Sequence, residues 1–167
     1  MIIGFMGDLG SGKTLGMTIL GYSIYFLSDK KLKIFSNYKV KGAYKIYKIS
    51  QLFKIKNGII LLDELHILID SRLWRYNKYL VDYFLQIRKY NNFLLFTTQH
   101  FKQIDVRIRN VCQYLFYCQR FKNYFKYTLI DTLYKDIKKT IILPKNEAEK
   151  FYKYYNTFEA IKKLPKK

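Results

Sequence analysis

The stretch Gly7-Asp8-Leu9-Gly10-Ser11-Gly12-Lys13-Thr14 matches the pattern G-x-x-x-x-G-K-[ST] at every fixed position. The apolar run 1–6 before it predicts a buried strand, and the proline-free run 15–27 after it predicts a helix. A strand, a glycine-rich turn and a helix in this order bind phosphate, because backbone N–H groups and the positive end of the helix dipole point at one anion. The stretch therefore predicts a phosphate-binding loop for a nucleotide.

Each part of this loop has its own chemical role in the predicted site. The three glycines permit positive φ angles and bring backbone N–H groups close to the anion. Lys13 adds a positive charge, and the Thr14 hydroxyl is a ligand for Mg²⁺. The alternative is a glycine turn that happens to precede Lys-Thr, and the flanking strand and helix argue against it. The predicted nucleotide contacts are Gly7, Asp8, Leu9, Gly10, Ser11, Gly12, Lys13, Thr14 and Leu15.

An acidic pair follows the next strongly apolar segment. The run Gly58–Leu62 predicts a buried parallel strand, and Asp63 and Glu64 come directly after it. The carboxyl end of such a strand lies in the ligand crevice of an α/β sheet. Asp63 is then expected to hold Mg²⁺ together with Thr14, and Glu64 to polarise the water that attacks the γ-phosphate. A buried strand that ends in a solvated acidic turn is the alternative, which the intact loop upstream disfavours.

A neutral amide ends the following core strand. The apolar run 93–98 predicts a strand, and Gln99 stands at its carboxyl end, at the level of the sheet that Asp63 and Glu64 occupy. An amide there can bond the γ-phosphate or the attacking water and so report which nucleotide is bound. A loop glutamine that faces solvent is the alternative.

Length and composition limit the number of domains and the class of protein. A chain of 167 residues, half of them apolar, is expected to form one domain over 1–160 with a basic flexible tail over 161–167. The net charge of +19 is enough to attract a polyanion such as nucleic acid or an anionic membrane surface. Coding from an A/T-rich genome also yields many lysines, and the sequence favours neither explanation of the net charge over the other. Cys112 and Cys118, with no histidine or third cysteine at ligand spacing, are expected to be reduced core residues.

The sequence predicts no membrane segment. No apolar run approaches the roughly 20 residues that a membrane helix requires. A chain that starts with its first strand also leaves no room for a signal peptide. We expect an intracellular protein that is soluble or attached to a surface through its charge.

The remaining pattern predicts further helices and strands. The apolar spacing of Leu80, Phe84 and Ile87 predicts a helix over 77–90. Asn146 with Glu149 three residues later resembles a capping box, which predicts a helix to about residue 155. The other predicted elements are a short strand over 32–35, an edge strand or basic loop over 36–49, a helical turn over 103–110, a strand over 111–118, another strand before residue 130, a charged turn over 135–139 and a last short strand over 140–143.

These motifs together resemble one superfamily. The loop, the acidic pair, an arginine-ended helix at Arg88 and a strand closing in Thr97-Thr98-Gln99 are similar to the FtsK–HerA superfamily of DNA-pumping ATPases. Within it the chain looks most like packaging and assembly ATPases of viruses and phages, including the zonular occludens toxin-like proteins of filamentous phages. The turn 103–110 with its arginines and the aromatic run 151–159 add to this second likeness, which covers residues 1–160.

The resemblance implies a fold, cofactors and an assembly. The fold is a RecA-like α/β phosphate-binding-loop domain with a mostly parallel sheet flanked by helices and a small C-terminal β-hairpin and helix extension. The cofactors are ATP and Mg²⁺, and the assembly is a homo-oligomeric ring, commonly a hexamer, with nucleotide between subunits. Arg88 best matches the arginine that acts on a neighbour's site, with Arg109 and Arg107 as alternatives; an arginine at a helix C-terminus also stabilises the dipole. The implied catalytic residues are Lys13, Glu64, Gln99 and Arg88, with Thr14 and Asp63 as metal ligands.

The resemblance also implies a function. It is that of an ATP-hydrolysing motor that translocates double-stranded DNA without sequence preference, foremost a viral genome-packaging ATPase in the host cytoplasm or at a virion's capsid or membrane vertex. A phage assembly or export ATPase is one alternative, although the chain lacks the membrane segment of many toxin-like relatives and a separate DNA-tracking domain. An ATP-dependent switch module is another. A small nucleotide kinase is disfavoured because no arginine-rich lid is evident.

Overall fold

The apolar run before the glycine-rich loop forms β1 (Ile2–Met6), which lies inside an eight-stranded sheet. The structure is a computed structural model that describes residues 1–68, 74–156, 159, 161, 164 and 165, with the backbone alone for 74–77. The other strands are β2 (Lys33–Ser36), β3 (Tyr44–Lys45), β4 (Gly58–Leu62), β5 (Phe93–Thr98), β6 (Tyr114–Arg120), β7 (Tyr124–Asp131) and β8 (Asp136–Pro144). Their order in the sheet is β3-β2-β4-β5-β1-β6-β7-β8. The helices are α1 (Lys13–Leu27), α2 (Ile49–Leu52), α3 (Leu65–Leu68), α4 (Trp74–Leu85), α5 (Val106–Val111) and α6 (Lys145–Glu149).

The sheet has a parallel part and an antiparallel part. Strands β1 to β6 pair in parallel, and β6, β7 and β8 pair antiparallel. This arrangement confirms the predicted α/β class with a mostly parallel sheet and a C-terminal hairpin and helix extension. Because β1, β4 and β5 run in the same direction, the segments that follow them emerge at one edge of the sheet, which we call the carboxyl edge.

Apolar side chains cover both faces of the parallel part. All five residues of β4 are buried, as expected for a central strand without polar alternation. Ile60 and Leu62 pack on one face with the core of α4, and Ile59 and Leu61 pack on the other with α1. The core therefore fixes the carboxyl ends of the central strands, where the predicted functional residues lie.

The segment 77–90, predicted as one helix, forms parts of two elements in the structure. Helix α4 ends at Leu85, and a 3₁₀ turn covers Ile87–Tyr90. Asn91 closes this turn in the left-handed conformation with φ 52°. The buried Asn92 amide donates to the Ile55 carbonyl at 2.8 Å, and its side-chain oxygen accepts from the Gly58 N–H at 2.8 Å. Contacts distant in sequence thus determine where this segment turns toward β5.

Two predicted strand boundaries near the C-terminus are wrong. Strand β6 begins at Tyr114 because α5 continues through Val111. Strand β8 includes most of the charged segment 135–139, since pairing with β7 holds it extended and both of its faces are largely exposed. Charged side chains are compatible with such an edge strand.

The helix predicted from Asn146 to about residue 155 is also wrong. Helix α6 covers only Lys145–Glu149, and Pro144 occupies the N-cap position. A 3₁₀ turn over Tyr152–Tyr154 follows it. The Tyr154 carbonyl accepts from the Lys41 N–H at 2.8 Å, and Tyr155 forms a β-bridge with Val40. Pairing with the β2–β3 connection therefore replaces helical hydrogen bonds in this segment.

Three further predictions concern the cysteines, the C-terminal tail and membrane segments. Cys112 and Cys118 are buried and unbridged, as predicted. Leu164, within the predicted flexible tail, is buried, and the Pro165 carbonyl accepts from the Ile49 N–H at 2.9 Å. Residues 162, 163, 166 and 167 lie outside the described residues. None of the described helices has the length and hydropathy needed to cross a membrane.

Candidate nucleotide-binding site

The glycine-rich loop connects the carboxyl end of β1 to the first residue of α1. Gly7, Gly10 and Gly12 have φ angles of 154°, 73° and 87°, which confirms the positive φ expected at all three. The Ser11 N–H donates to the Asp8 carbonyl at 3.1 Å and closes a tight turn. The N–H groups at the start of α1 are consequently available to an anion at the carboxyl edge.

Lys13 folds back against the beginning of the loop. Its ammonium donates to the Gly7 carbonyl at 3.1 Å and to the Asp8 carbonyl at 2.9 Å, and only 6% of the residue is exposed. Both acceptors are neutral, so neither cancels the positive charge. A buried cation held in this way can exchange a carbonyl for a phosphate oxygen.

Asp63 lies at the centre of a hydrogen-bond network. Its Oδ1 accepts from the Thr14 hydroxyl at 2.9 Å and from the Thr97 hydroxyl at 2.6 Å. The Asn37 side chain holds its backbone from both sides, donating to the Asp63 carbonyl at 2.9 Å and accepting from its N–H at 2.8 Å. Burial raises the pKa of Asp63, whereas the two hydroxyl groups and the charge of Lys13 lower it. The structure thus brings Thr14 and Asp63 together, as the sequence predicted.

Glu64 stands beside Asp63 in a constrained conformation. Its φ of 51° is unusual for a residue with a side chain, and such strain often occurs at functional sites. The Glu64 N–H donates to Thr97 Oγ1 at 2.8 Å. Its Oε2 lies 3.2 Å from His66 Nδ1 without hydrogen-bond geometry. Burial, and next the charge of Asp63, raise the pKa of Glu64, while Lys13 and His66 lower it. A carboxyl with a raised pKa suits a general base.

Sequence reasoning did not assign a role to Thr97 by itself. The Thr97 hydroxyl donates to Asp63 and accepts from the Glu64 N–H, so one side chain fixes both acids. The available signal was a hydroxyl residue near the carboxyl end of β5, which pairs with β4. Gln99 follows the same strand and is half-buried at the carboxyl edge, where it was expected.

None of the three arginines considered for a neighbour's site, Arg88, Arg109 and Arg107, is among the residues that line the cavity at the loop. Arg88 is exposed in the turn before β5, at the opposite edge of the sheet. The ammonium of Met1 has a lowered pKa because of burial and then the nearby charge of Arg88. Strand β5 has six residues, so the two edges of the sheet that it connects are about 20 Å apart. Arg107 pairs with Asp105 at 3.0 Å, and Arg109 Nε donates to the Ile104 carbonyl at 3.0 Å.

The β6–β7 hairpin packs against the loop, which the sequence did not predict. A Cβ on Gly7 would lie 2.3 Å from the Cys118 carbonyl oxygen, and a Cβ on Gly12 would lie 2.6 Å from the Phe125 ring. The Tyr127 hydroxyl donates to the Gly12 carbonyl at 3.0 Å. Gly7 and Gly12 are therefore required for close packing as well as for their φ angles.

A cavity of about 780 Å³ opens at these residues, a volume within the usual range for ligand sites. Within the described part of the chain, no three histidine, cysteine or acidic residues cluster as a metal site. The Thr14 hydroxyl and the Asp63 carboxylate are hard oxygen donors that already touch, which fits Mg²⁺ completing its shell with phosphate and water oxygens. The lining residues are Leu9, Gly10, Gly12, Lys13, Thr14, Leu15, Asp63, Glu64, Ile67, Arg120, Phe125, Tyr152, Tyr155, Asn156, Glu159 and Ile161.

Solved structures share the fold. The N-terminal domain of zonular occludens toxin from Neisseria meningitidis has a TM-score of 0.64 at 17% identity, over 93% of this chain and 98% of that chain. The genome packaging NTPase B204 from Sulfolobus turreted icosahedral virus 2, in complex with sulfate, has a TM-score of 0.58 at 12% identity, over 83% and 94% of the two chains. B204 from Sulfolobus turreted icosahedral virus, described as a DNA-packaging ATPase, has a TM-score of 0.57 at 15% identity, over 85% and 96%.

The family comparison agrees with the predicted resemblance. No curated protein matches the sequence. The family model described as zonular occludens toxin (Zot) matches residues 27–160, which is well over half of the sequence. The chain belongs to the zonular occludens toxin family.

Proposed function

We propose that the chain is an ATP-hydrolysing motor that moves double-stranded DNA, foremost as a viral genome-packaging ATPase. The observation that carries the proposal is the contact of Thr14 Oγ1 with Asp63 Oδ1 at 2.9 Å, with Lys13 and Glu64 lining the same cavity. A hydroxyl, two carboxylates and a buried ammonium at a helix N-terminus are the groups that hydrolysis of a nucleoside triphosphate needs. B204 structures in complex with ATP-gammaS and with AMPPCP share this fold.

In the proposed mechanism each group acts at a defined place. Lys13 transfers its hydrogen bonds from the loop carbonyls to phosphate oxygens, and the N–H groups of the loop hold the same anion. Glu64 accepts the proton of the attacking water as the water oxygen bonds to the γ-phosphorus and the bond between that phosphorus and the β-phosphate oxygen breaks, which releases ADP and phosphate. Gln99, at the same edge, orients that water or the γ-phosphate. Mg²⁺ held by Thr14 and Asp63 would neutralise phosphate charge.

Two observations support DNA as the partner. The fold is shared with B204, a genome packaging NTPase, and the chain carries a net charge of +19. Lysines against phosphates give binding that is independent of base sequence and steeply dependent on salt. The proposal places the protein in the host cytoplasm or on a virion.

One experiment tests this function against its rivals. Phosphate release from ATP is measured with and without double-stranded DNA, and thin-layer chromatography detects any phosphate transfer to nucleosides. We expect hydrolysis that DNA stimulates, no nucleoside phosphorylation, and a logarithm of the DNA affinity that falls linearly with the logarithm of salt concentration. Phosphorylated nucleosides would identify a kinase. DNA binding that does not depend on salt would indicate that the net positive charge reflects amino-acid composition and not contact with DNA.

Family membership favours a second candidate function. Since the chain belongs to the zonular occludens toxin family, an ATPase of phage assembly or export is the alternative to genome packaging. ATP hydrolysis that DNA does not stimulate, together with an absence of DNA binding, would favour this alternative or an ATP-dependent switch over a DNA motor.

A ring with shared sites makes a specific prediction about Arg88. Because Arg88 lies at the edge opposite its own loop, only a neighbouring subunit's nucleotide is within its reach. Arg88→Ala subunits are expected to bind ATP normally and hydrolyse it about 10³-fold more slowly or worse, since the transition state loses a cation supplied by the neighbour.

Mixing inactive variants tests whether the site is shared. A Lys13→Ala subunit keeps Arg88, and an Arg88→Ala subunit keeps the loop, so mixed rings regain hydrolysis only if both contribute to one site. Replacing the adjacent exposed residue, Lys89→Ala, is the control and should not alter the rate. Mixed oligomers seen by light scattering without recovered hydrolysis would assign Arg88 a structural role.

A further inference from the structure

The β6–β7 hairpin places an arginine directly over the phosphate-binding loop. Arg120 is the last residue of β6, at the carboxyl edge of the sheet. Its Nη1 lies 3.9 Å from the position that a Cβ on Gly10 would occupy. Its guanidinium carbon lies 5.9 Å from the centre of the Phe125 ring. The contact with Phe125 supports the long side chain in this position.

The same hairpin contacts each glycine of the loop at a different point. The Cys118 carbonyl approaches Gly7, Arg120 approaches Gly10 and Phe125 approaches Gly12. Of these three hairpin groups, only the guanidinium carries a charge and several hydrogen-bond donors. The contact at Gly10 is also the loosest, because 3.9 Å is an ordinary van der Waals distance whereas the other two would be clashes. The space beside Gly10 therefore permits a ligand to approach Arg120.

No carboxylate among the residues that the structure describes forms an ion pair with the guanidinium of Arg120. Arg107, by contrast, donates two side-chain hydrogen bonds to Asp105. Arg120 lines the 780 Å³ cavity together with Lys13, and it also lines an adjoining cavity of about 540 Å³ on the outer side of the loop. An exposed cation between two cavities that flank a phosphate-binding loop is suited to an anion held by that loop.

We propose that Arg120 binds the polyphosphate chain of the nucleotide, as a second cation beside Lys13. The proposal rests on the nucleotide binding proposed above and names a further residue of that site. The planar guanidinium presents two parallel N–H groups, which match two oxygens of one phosphate group or of adjacent ones. Lys13 approaches from the Gly7 and Asp8 side of the loop and Arg120 from the Gly10 side, so the two cations meet the anion from different directions. The β6–β7 hairpin thereby contributes to selecting nucleotides that carry more than one phosphate.

Equilibrium binding of nucleotides with different numbers of phosphates tests this assignment. The full chain and its Arg120→Gln variant are titrated by calorimetry with AMPPNP, ADP and AMP, each with Mg²⁺. We expect the affinity of the variant for AMPPNP to fall about 10-fold to 100-fold, the loss typical of a charge-assisted hydrogen bond. The loss should be smaller for ADP and absent for AMP. Arg120→Lys, which keeps the charge without the fork, should fall between the variant and the unchanged chain.

Lys122→Gln is the matched control. Lys122 is an exposed cation two residues away that lines only the outer cavity, so its replacement should leave all three affinities unchanged. Circular dichroism and thermal unfolding verify the fold of each variant. If Arg120→Gln does not fold, Arg120→Lys, which keeps a long cationic side chain, provides the comparison.

Two results would overturn the role of Arg120. One is an unchanged affinity for AMPPNP, and the other is an equal loss for all three nucleotides, which would indicate that Arg120 only supports the loop. An unmodified chain that binds none of the three nucleotides would overturn the proposed nucleotide site itself. The failure of the inference and the failure of the proposed function therefore give different results.

Discussion

Replacing Lys13 with alanine is expected to abolish ATP hydrolysis while leaving the fold intact. The ammonium is the only group of the loop that brings a full positive charge to the phosphates, and its removal is expected to slow hydrolysis at least about 100-fold. The two hydrogen bonds to the Gly7 and Asp8 carbonyls are also lost, at about 1 kcal/mol of unfolding free energy each. Phosphate release measures the rate, and circular dichroism with thermal unfolding measures the fold.

Two further variants separate charge from support of the loop. Lys13→Gln can still donate to a loop carbonyl but has no charge, so it should remain inactive while losing less stability than Lys13→Ala. Lys54→Ala, at an exposed lysine outside the cavity, should hydrolyse ATP at the unmodified rate. Hydrolysis at that rate by Lys13→Ala would mean that this loop is not the catalytic one, and an unfolded Lys13→Ala would assign the lysine to the fold.

Replacing Glu64 with glutamine is expected to keep ATP bound and to slow its hydrolysis about 10²-fold to 10⁴-fold, the usual contribution of a general base. The amide has nearly the same shape as the carboxylate, so the Glu64 backbone, bonded to Thr97 and held at φ 51°, should not move. The glutamine amide, however, cannot accept the proton of the attacking water. Nucleotide affinity measured by calorimetry and phosphate release in a single turnover separate binding from chemistry.

Glu147→Gln is the control for the loss of a carboxylate. Glu147 pairs with Lys150 at 2.7 Å on the exposed surface of α6, outside the cavity, and its replacement should leave hydrolysis unchanged. If Glu64→Gln hydrolyses ATP at the unmodified rate, Glu64 is not the base. If it fails to bind ATP, the carboxylate acts in binding the nucleotide rather than in activating water.

Local patterns were sufficient to predict the centre of the site. The glycine motif depends on eight consecutive residues, and the run Gly58–Leu62 is apolar because β4 is buried on both faces. Once both strands are placed in a parallel sheet, their following residues must meet at one edge. The contact between Thr14 and Asp63 confirms that step.

The parts of the site that were missed depend on contacts between distant residues. Tyr127 bonds Gly12 across 115 positions of sequence, and nothing in the residues around either one indicates that β6 pairs with β1. Thr97 reaches Asp63 only because β5 lies beside β4. Helix α6 ends early for the same reason, since Tyr155 pairs with Val40 instead of continuing the helix. Local propensity and periodicity do not record such pairings.

The hydrogen bond between Tyr127 and Gly12 determines when the nucleotide loop can gain its contacts during synthesis of the chain. The loop is synthesised more than a hundred residues before the strand that packs against it. Contacts of such long sequence separation form late in folding. The nucleotide loop therefore acquires its complete surroundings only after a long further stretch of the chain has been made.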